Sequence, residues 1–387
     1  MTAYNYKWLE NLYTWNNVEA GYDEKYISYD EREAIKKAYP TDFYTPNFFI
    51  RIGLFMLTLI IAAFSFGLLI LFFLSGITEV IGNLMIFMAI VMYAMLEFMV
   101  KKRYHYRSGV DDALLIMSGS CIVGGMNMLF TISLLGNSLI IFCVSVFFAL
   151  RFADMLMSAV AILSFFSLVF LAYIKFGSFT KSTAPFLMMA ITIVIYFIAK
   201  RQIKKISHRV YFNCILITEI ISLTCFYLAG NYYVVREASN SMFNLNLKDN
   251  ESIPLGWLFW IFTIVVPFIY VSKGIQKKDA VLIRVGLLLI AALIFTIHYY
   301  YDITNIETEM ALGGILLISV SYTLMKYLKK PRNGFTYEEL ADKNLIDKLN
   351  VEAIIIAETY GSSQTVKSDN LFGGGTGGGG GASGEFR

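Results

Sequence analysis

Ten apolar runs, most close to 20 residues long, recur between positions 52 and 328 and are separated by short polar breaks. They span approximately Ile52–Leu74, Val80–Val100, Ala113–Leu135, Ser138–Leu150, Met155–Ile174, Ser182–Ala199, Tyr211–Ala229, Trp257–Val271, Ala280–Ile297 and Met310–Leu328. About 20 apolar residues is the length a helix needs to cross a hydrocarbon core of about 30 Å. The pattern predicts an all-α fold: a polytopic transmembrane helix bundle of about ten spans with small cytoplasmic helical ends. The fourth run, Ser138–Leu150, is the shortest and is parted from the third only by Gly136-Asn137. That pair reads as a tight turn; read instead as a kink, it changes the number of crossings and the sides of the later loops.

The ends read differently. In Tyr4–Asn17 the residues Trp8, Leu9, Leu12 and Tyr13 fall on one helical face. Ser28-Tyr29-Asp30-Glu31 is a capping-box pattern opening a second helix, with Ala34, Ile35, Ala38 and Tyr39 on one face and Pro40 as its stop. Two helices this short need each other, a membrane surface or a partner to be stable. Thr336-Tyr337-Glu338-Glu339 opens another expected helix, running to about Tyr360. From Gly361 the chain turns glycine-rich, a composition that buries too little apolar surface to order itself. The expected divisions are a cytoplasmic appendage at 1–47, the bundle at 48–330, a C-terminal helical segment at 331–360 and a flexible tail at 361–387.

Composition supports the membrane reading. Hydrophobic residues make up 57% and charged residues 16%, whereas charged residues alone are about 25% of an ordinary soluble domain. The net charge of +3 sits in short clusters, which report topology and anionic lipid headgroups; no nucleic-acid partner is implied. Alternate loops hold Lys101, Lys102, Arg103 and Arg107; Arg151; Lys200, Arg201, Lys204, Lys205 and Arg209; Lys273, Lys277 and Lys278; and Lys329, Lys330 and Arg332. The intervening loops hold only Lys175, Lys181, Arg236 and Lys248. Lys and Arg are retained on the inner side, so both termini are expected in the cytoplasm. The first 47 residues contain no signal-peptide h-region, leaving the first span as its own insertion signal.

Candidate chemistry is sparse. Cys121, Cys143, Cys214 and Cys225 all lie in apolar runs and read as free packed thiols. His105, His208 and His298 are scattered, so no metal site and no cofactor is implied. No Walker loop, HExxH, G-x-S-x-G or dinucleotide fingerprint is present. Glu219 is the one acid near the middle of an expected span, about 12 Å from its end. An acid there is protonated, paired or in a wet cavity. Asn127, Arg284, Thr218 and Thr224 are its candidate partners; the functional reading is a proton or cation site, and the plainer one a neutral interhelical hydrogen bond. Pro267 predicts a kink near Thr263, which lines a binding site in many transporters and serves packing in other membrane helices.

Arg151 and Asp154, three apart, are expected to pair at the inner boundary, where Asp111 and Asp112 also sit and Arg284 is placed to snorkel. Ser120 and Gly124, beside Gly119 and Gly125, form a small-residue face for helix contact, within the chain or in a homo-oligomer. On the outer side Arg236, Glu237, His298 and Asp302 combine a histidine with carboxylates, which is the candidate catalytic set if the two outer regions approach each other.

Trp15, Gly21, Ile27-Ser28, Ala34-Ile35, the stretch Phe49-Ile50-Arg51-Ile52-Gly53-Leu54 and the short paired segments around Arg151 carry a resemblance in layout, over about 330 residues, to a bacterial family of inner-membrane proteins of unknown function. The glycine tail is similar, over about 15 residues, to the ends of bacterial envelope proteins with a phosphatase-like TPM domain, which this chain lacks. The resemblance implies a multipass protein of the bacterial inner membrane and supplies no catalytic residue. The leading expectation is a non-enzymatic component in the lipid bilayer that recruits or scaffolds envelope proteins through its cytoplasmic ends. The alternatives are a proton-linked small-molecule transporter using Glu219, and an envelope lipid or glycan enzyme using the outer cluster.

Overall fold

The computed structural model describes residues 2–23, 25–72, 78–177, 179–203, 205–243 and 252–301, with scattered positions between 307 and 326. Two short helices come first, α1 (Tyr6–Asp23) and α2 (Tyr29–Ala38). The bundle follows as α3 (Phe48–Phe72), α4 (Thr78–Lys102), α5 (Val110–Leu129), α6 (Leu134–Phe152), α7 (Met155–Ile174), α8 (Phe179–Gln202), α9 (Phe212–Gly230), α10 (Tyr232–Phe243), α11 (Gly256–Lys277) and α12 (Ala280–Tyr301). Among the described residues there is no strand, only an isolated bridge between Tyr44 and His105. Nine of these helices, α3 to α9 with α11 and α12, are long and apolar enough to cross a membrane. The tenth expected span, the helix expected after Thr336 and the glycine tail lie outside the described residues, apart from scattered positions in the span.

The bundle is built from antiparallel pairs: α4 with α5, α6 with α7, α8 with α9, and α11 with α12. Further packing of α7 on α8 and α9 joins the earlier helices to the later ones. Outward faces are apolar, as lipid contact requires: α3 buries only Ala62 and turns Phe64, Leu68, Leu71 and Phe72 outward. Of the small-residue face of α5, Gly124 and Gly125 lie over Met85 and Ile86 of α4, Gly119 faces Phe148 of α6, and Ser120 is exposed; Ser118 donates to the Ala89 carbonyl at 3.0 Å.

The turn before the fourth span is not at Gly136-Asn137. Helix α5 stops at Leu129, and Ser133 caps α6 by accepting the Gly136 amide at 3.2 Å, so Gly136 and Asn137 lie in the first turn of α6. The cap lengthens the short run to 19 residues, long and apolar enough to cross a membrane.

Of the two short N-terminal helices, α1 docks on the bundle and α2 packs on α1. The capping box at Ser28 forms, with the Ser28 amide donating to Glu31 Oε2 at 2.8 Å and the Glu31 amide to Ser28 Oγ at 3.3 Å. Asn11 and Trp15 of α1 donate to the carbonyls of Pro40 and Tyr39 at 2.8 and 2.7 Å, tying the chain beyond α2 back to α1. Tyr4 and Leu9 are buried in the same core as Leu96, Phe148 and Phe152, and Trp8 packs edge-on against Phe43 and Tyr104. Burial pushes the Tyr4 phenol well up. Of the apolar face read from the sequence, Leu9 is buried, Trp8 and Leu12 are half-buried and Tyr13 is exposed.

Contacts among the described loops bring the N-terminal residues together with the stretches around Arg151 and Arg209, and Arg51 with Asp112. The Ala3 amide donates to the Arg151 carbonyl, Tyr211 reaches the Leu150 carbonyl, Arg209 stacks on Tyr13 at 4.9 Å, and Arg51 pairs with Asp112 at 2.6 Å.

Candidate functional site: one lysine between two carboxylates

Glu219 lies two turns into α9 and is 1% exposed. Its partner comes from the last turn of α8: the Lys200 ammonium donates to Glu219 Oε1 at 2.7 Å. The same ammonium donates to Asp279 Oδ2 at 2.5 Å. Asp279 stands just before α12, where its other oxygen, Oδ1, accepts the amides of Val281 and Leu282 at 3.1 and 3.3 Å. One carboxylate thus both starts a helix and holds a neighbour's lysine. Side-chain exposure is 32% for Lys200 and 12% for Asp279, so the cluster is wettest at the lysine and driest at Glu219.

Two carboxylates and one ammonium sum to a charge of minus one when all are ionised. Glu219 Oε2 is buried and has no hydrogen-bond partner among the described residues. A surplus negative charge beside an unused carboxylate oxygen, away from water, is what a proton or small cation neutralises. A purely structural pair, by contrast, is expected to satisfy both oxygens.

From Glu219 a polar stripe runs along α9 at intervals of four residues. Tyr270 of α11 donates to the Leu223 carbonyl at 3.2 Å, and Tyr227 donates to the Thr263 carbonyl at 3.3 Å. Asn231, at the end of α9, donates to Tyr227 Oη at 3.1 Å and to Thr296 Oγ1 at 3.2 Å. Residues 219 to 231 span about 18 Å of helix. Pro267 is buried in this region, inside a helix that runs from Gly256 to Lys277. It lacks the amide that would bond Thr263, and Tyr227 takes that carbonyl instead.

The other candidates sit elsewhere. Asn127 donates to the Val123 carbonyl and to Asn137 Oδ1 at 2.9 and 2.8 Å, and Arg284 is on an exposed face of α12. Thr218 and Thr224 donate to the Cys214 and Ile220 carbonyls of their own helix. None of the four is bonded to Glu219. Arg151 does not pair with Asp154: it clasps Glu97 with Nε–Oε1 at 2.8 Å and Nη2–Oε2 at 3.1 Å. Asp154 instead caps α7 through the Met157 amide at 2.7 Å, and burial pushes its carboxyl up.

Asp111 accepts the amides of Arg107 and Ser108 at 2.7 and 2.8 Å, and Asp112 pairs with Arg51. A histidine, serine and aspartate do line up, His105 Nδ1 to Ser108 Oγ at 2.7 Å and Ser108 Oγ to Asp111 at 2.9 Å, but the serine is fully buried within this turn. Of the outer set, Arg236 and Glu237 are on α10 and His298 on α12, while Asp302 lies outside the described residues. The Arg236 guanidinium lies 5.4 Å from the Tyr300 ring, and Tyr232 and Tyr233 pack edge-on against Tyr300 and Tyr299. The four cysteines are free thiols, and no group of three metal-ligating side chains occurs among the described residues.

Lys200 and Asp279 are the members of the site that sequence reasoning missed. Lys200 was counted with the basic loop because Arg201, Lys204 and Lys205 follow it. Asp279 had a usable signal, an N-cap residue immediately before the apolar run from Ala280.

The fold and its lipid-facing surface define a multipass helical membrane protein. Set beside known protein families, curated proteins and solved structures, the chain shows no significant match, and the bacterial family suggested by its layout gains no support there.

Proposed function

We propose that the chain is a proton-linked membrane transporter in which Lys200, Glu219 and Asp279 form the proton site. The observation that carries this reading is the buried Glu219 carboxylate, one oxygen held by Lys200 and the other without a partner. The three residues come from α8, α9 and the start of α12, so their ion pairs tie three helices together. A proton on Glu219 removes its claim on the ammonium and leaves Lys200 to Asp279; loss of that proton restores the bridge between α8 and α9. Protonation is thereby coupled to how these helices are held, which a carrier requires. Pro267, buried within α11, lies in the same group of helices, where a proline kink would serve a carrier.

The second reading is the recruiting role, for which Leu9 of α1 is buried in the bundle while Tyr13 on the same face stays exposed. The finer setting proposed here is a bacterial inner membrane with the basic loops in the cytoplasm, supported by the gathering of Lys and Arg in alternate loops.

The test is difference infrared spectroscopy of the purified chain across pH, together with pH-dye measurements in proteoliposomes. A pH-dependent protonated-carboxyl band that disappears in Glu219→Gln, with loss of proton-linked flux, is the expected result. A band unchanged by Glu219→Gln, or no such band in the parent chain, overturns the proposal.

A further inference from the structure

A groove of about 430 Å3 runs between the α6–α7 pair and the α8–α9 pair, within the range of about 300–1,000 Å3 typical of ligand sites. Val146, Ile162, Phe165 and Ile198 give it an apolar wall, and Gln202 and Tyr211 close one end. Gln202 Oε1 is buried there with no hydrogen-bond partner among the described residues, an arrangement that costs free energy unless a donor is supplied. Arg201 adjoins Gln202 in the chain, and Lys205 and Arg209 fall between Gln202 and Tyr211; all three are exposed, with Arg209 also stacked on Tyr13. Asp154, near the groove wall at Ser158, has its carboxylate turned to the α7 amide of Met157. The exposed charges next in the chain to this end are thus cationic, with an apolar channel behind it.

We propose that this groove binds one acyl chain of an anionic phospholipid, with the lipid phosphate held by Arg201, Lys205 and Arg209 and a headgroup or glycerol hydroxyl donating to Gln202. Charge complementarity selects the occupant: a zwitterionic lipid fills the apolar channel equally well but gains little from three exposed cations. Each basic side chain near an anionic surface contributes about a fivefold preference. The inference is independent of the proton site.

The experiment is native mass spectrometry of the full chain released from bilayers containing equal phosphatidylglycerol and phosphatidylcholine. The parent chain is expected to retain one phosphatidylglycerol with about tenfold or greater preference. Arg201→Gln with Lys205→Gln should remove the preference, and Ile162→Trp, which fills the channel, should remove the retained lipid. Ile193→Trp, on an exposed face of α8 that does not line the groove, should retain it. Equal retention of both lipids by the parent chain, or unchanged phosphatidylglycerol retention in the double charge variant, overturns the site; if Ile162→Trp fails to fold, the charge variant decides alone.

Discussion

Tyr227 of α9 donates its hydroxyl hydrogen bond to the Thr263 carbonyl of α11 at 3.3 Å, and that carbonyl is the one Pro267 leaves without an in-helix donor. A break in one helix is repaired by a side chain of its neighbour. Tyr227 is fully buried and its oxygen also accepts from Asn231, so it belongs to a connected set rather than a lone pair. Tyr227→Phe should therefore cost about 1 kcal/mol. In a Pro267→Ala background the Thr263 carbonyl regains an amide donor, and the same substitution should cost less. A double-mutant cycle on thermal unfolding in detergent measures the difference; strict additivity would contradict the repair.

Lys200 holds two carboxylates that have few other means of compensation. Lys200→Met leaves Glu219 buried and without its charge partner, and breaking a buried pair in this way costs about 3–5 kcal/mol. Adding Glu219→Gln should recover a large part of the loss, because the uncompensated buried charge goes with it. Unfolding temperatures of the single and double variants check the order, with the double variant expected above Lys200→Met.

Arg151 meets Glu97 with two nitrogens, and Lys101 and Tyr93 bond the same carboxylate at 2.7 and 2.9 Å. A lysine supplies a single charged head in place of that planar fork. Arg151→Lys is expected to lose about 1–2 kcal/mol, and Arg151→Gln more, as judged by the detergent melting temperature.

The appendage carries its own pH dependence. Arg32 and Lys36 of α2 hold the Glu19 carboxyl of α1 below its ordinary value near 4.5. A depressed folded value means the stabilisation is present above about 4.5 and lost as pH falls through the folded value. Trp15 reports on this contact, since its indole donates to the Tyr39 carbonyl and Lys36 lies 5.5 Å from its ring. Trp15 fluorescence should change as acid is added below pH about 4.5, and Glu19→Gln should remove the transition. Because Glu19 is about a third exposed, salt should weaken the effect.

Nine spans were legible in the hydrophobic pattern because length and apolar content are local properties of the chain. The α5–α6 turn was misplaced by a few residues because Gly136-Asn137 looks like a turn, whereas the helix start is set by Ser133. The site was half legible. Glu219 stood out as an acid in an apolar run, but its partners are separated from it by 19 and 60 residues, distances at which composition says nothing about contact. Lys200 was hidden among the basic residues that mark topology, and Arg151 took a partner 54 residues away rather than the one three residues on. Ion pairing in this chain is set by helix packing, and packing is what a hydropathy pattern leaves out.

Gly109 shows the same dependence at the junction of α3 and α5. It precedes α5 with φ of +92°, and a Cβ there would run into the Arg51 carbonyl oxygen and press on the Phe55 amide at 3.0 Å. Both atoms are backbone of α3, which cannot swing aside as a side chain would. Gly109 thus allows two helix backbones to touch next to the Arg51–Asp112 pair. Gly109→Ala combines an unfavourable φ with a backbone clash and should cost at least about 2 kcal/mol. Ser108→Ala, one residue earlier, keeps the φ and the close approach while losing the hydroxyl bond to Asp111, and should cost about 1 kcal/mol. If hydrogen exchange at the start of α3 rises in Gly109→Ala and not in Ser108→Ala, the close approach sets the junction; equal exchange in the two variants would assign it to the Asp111 turn instead.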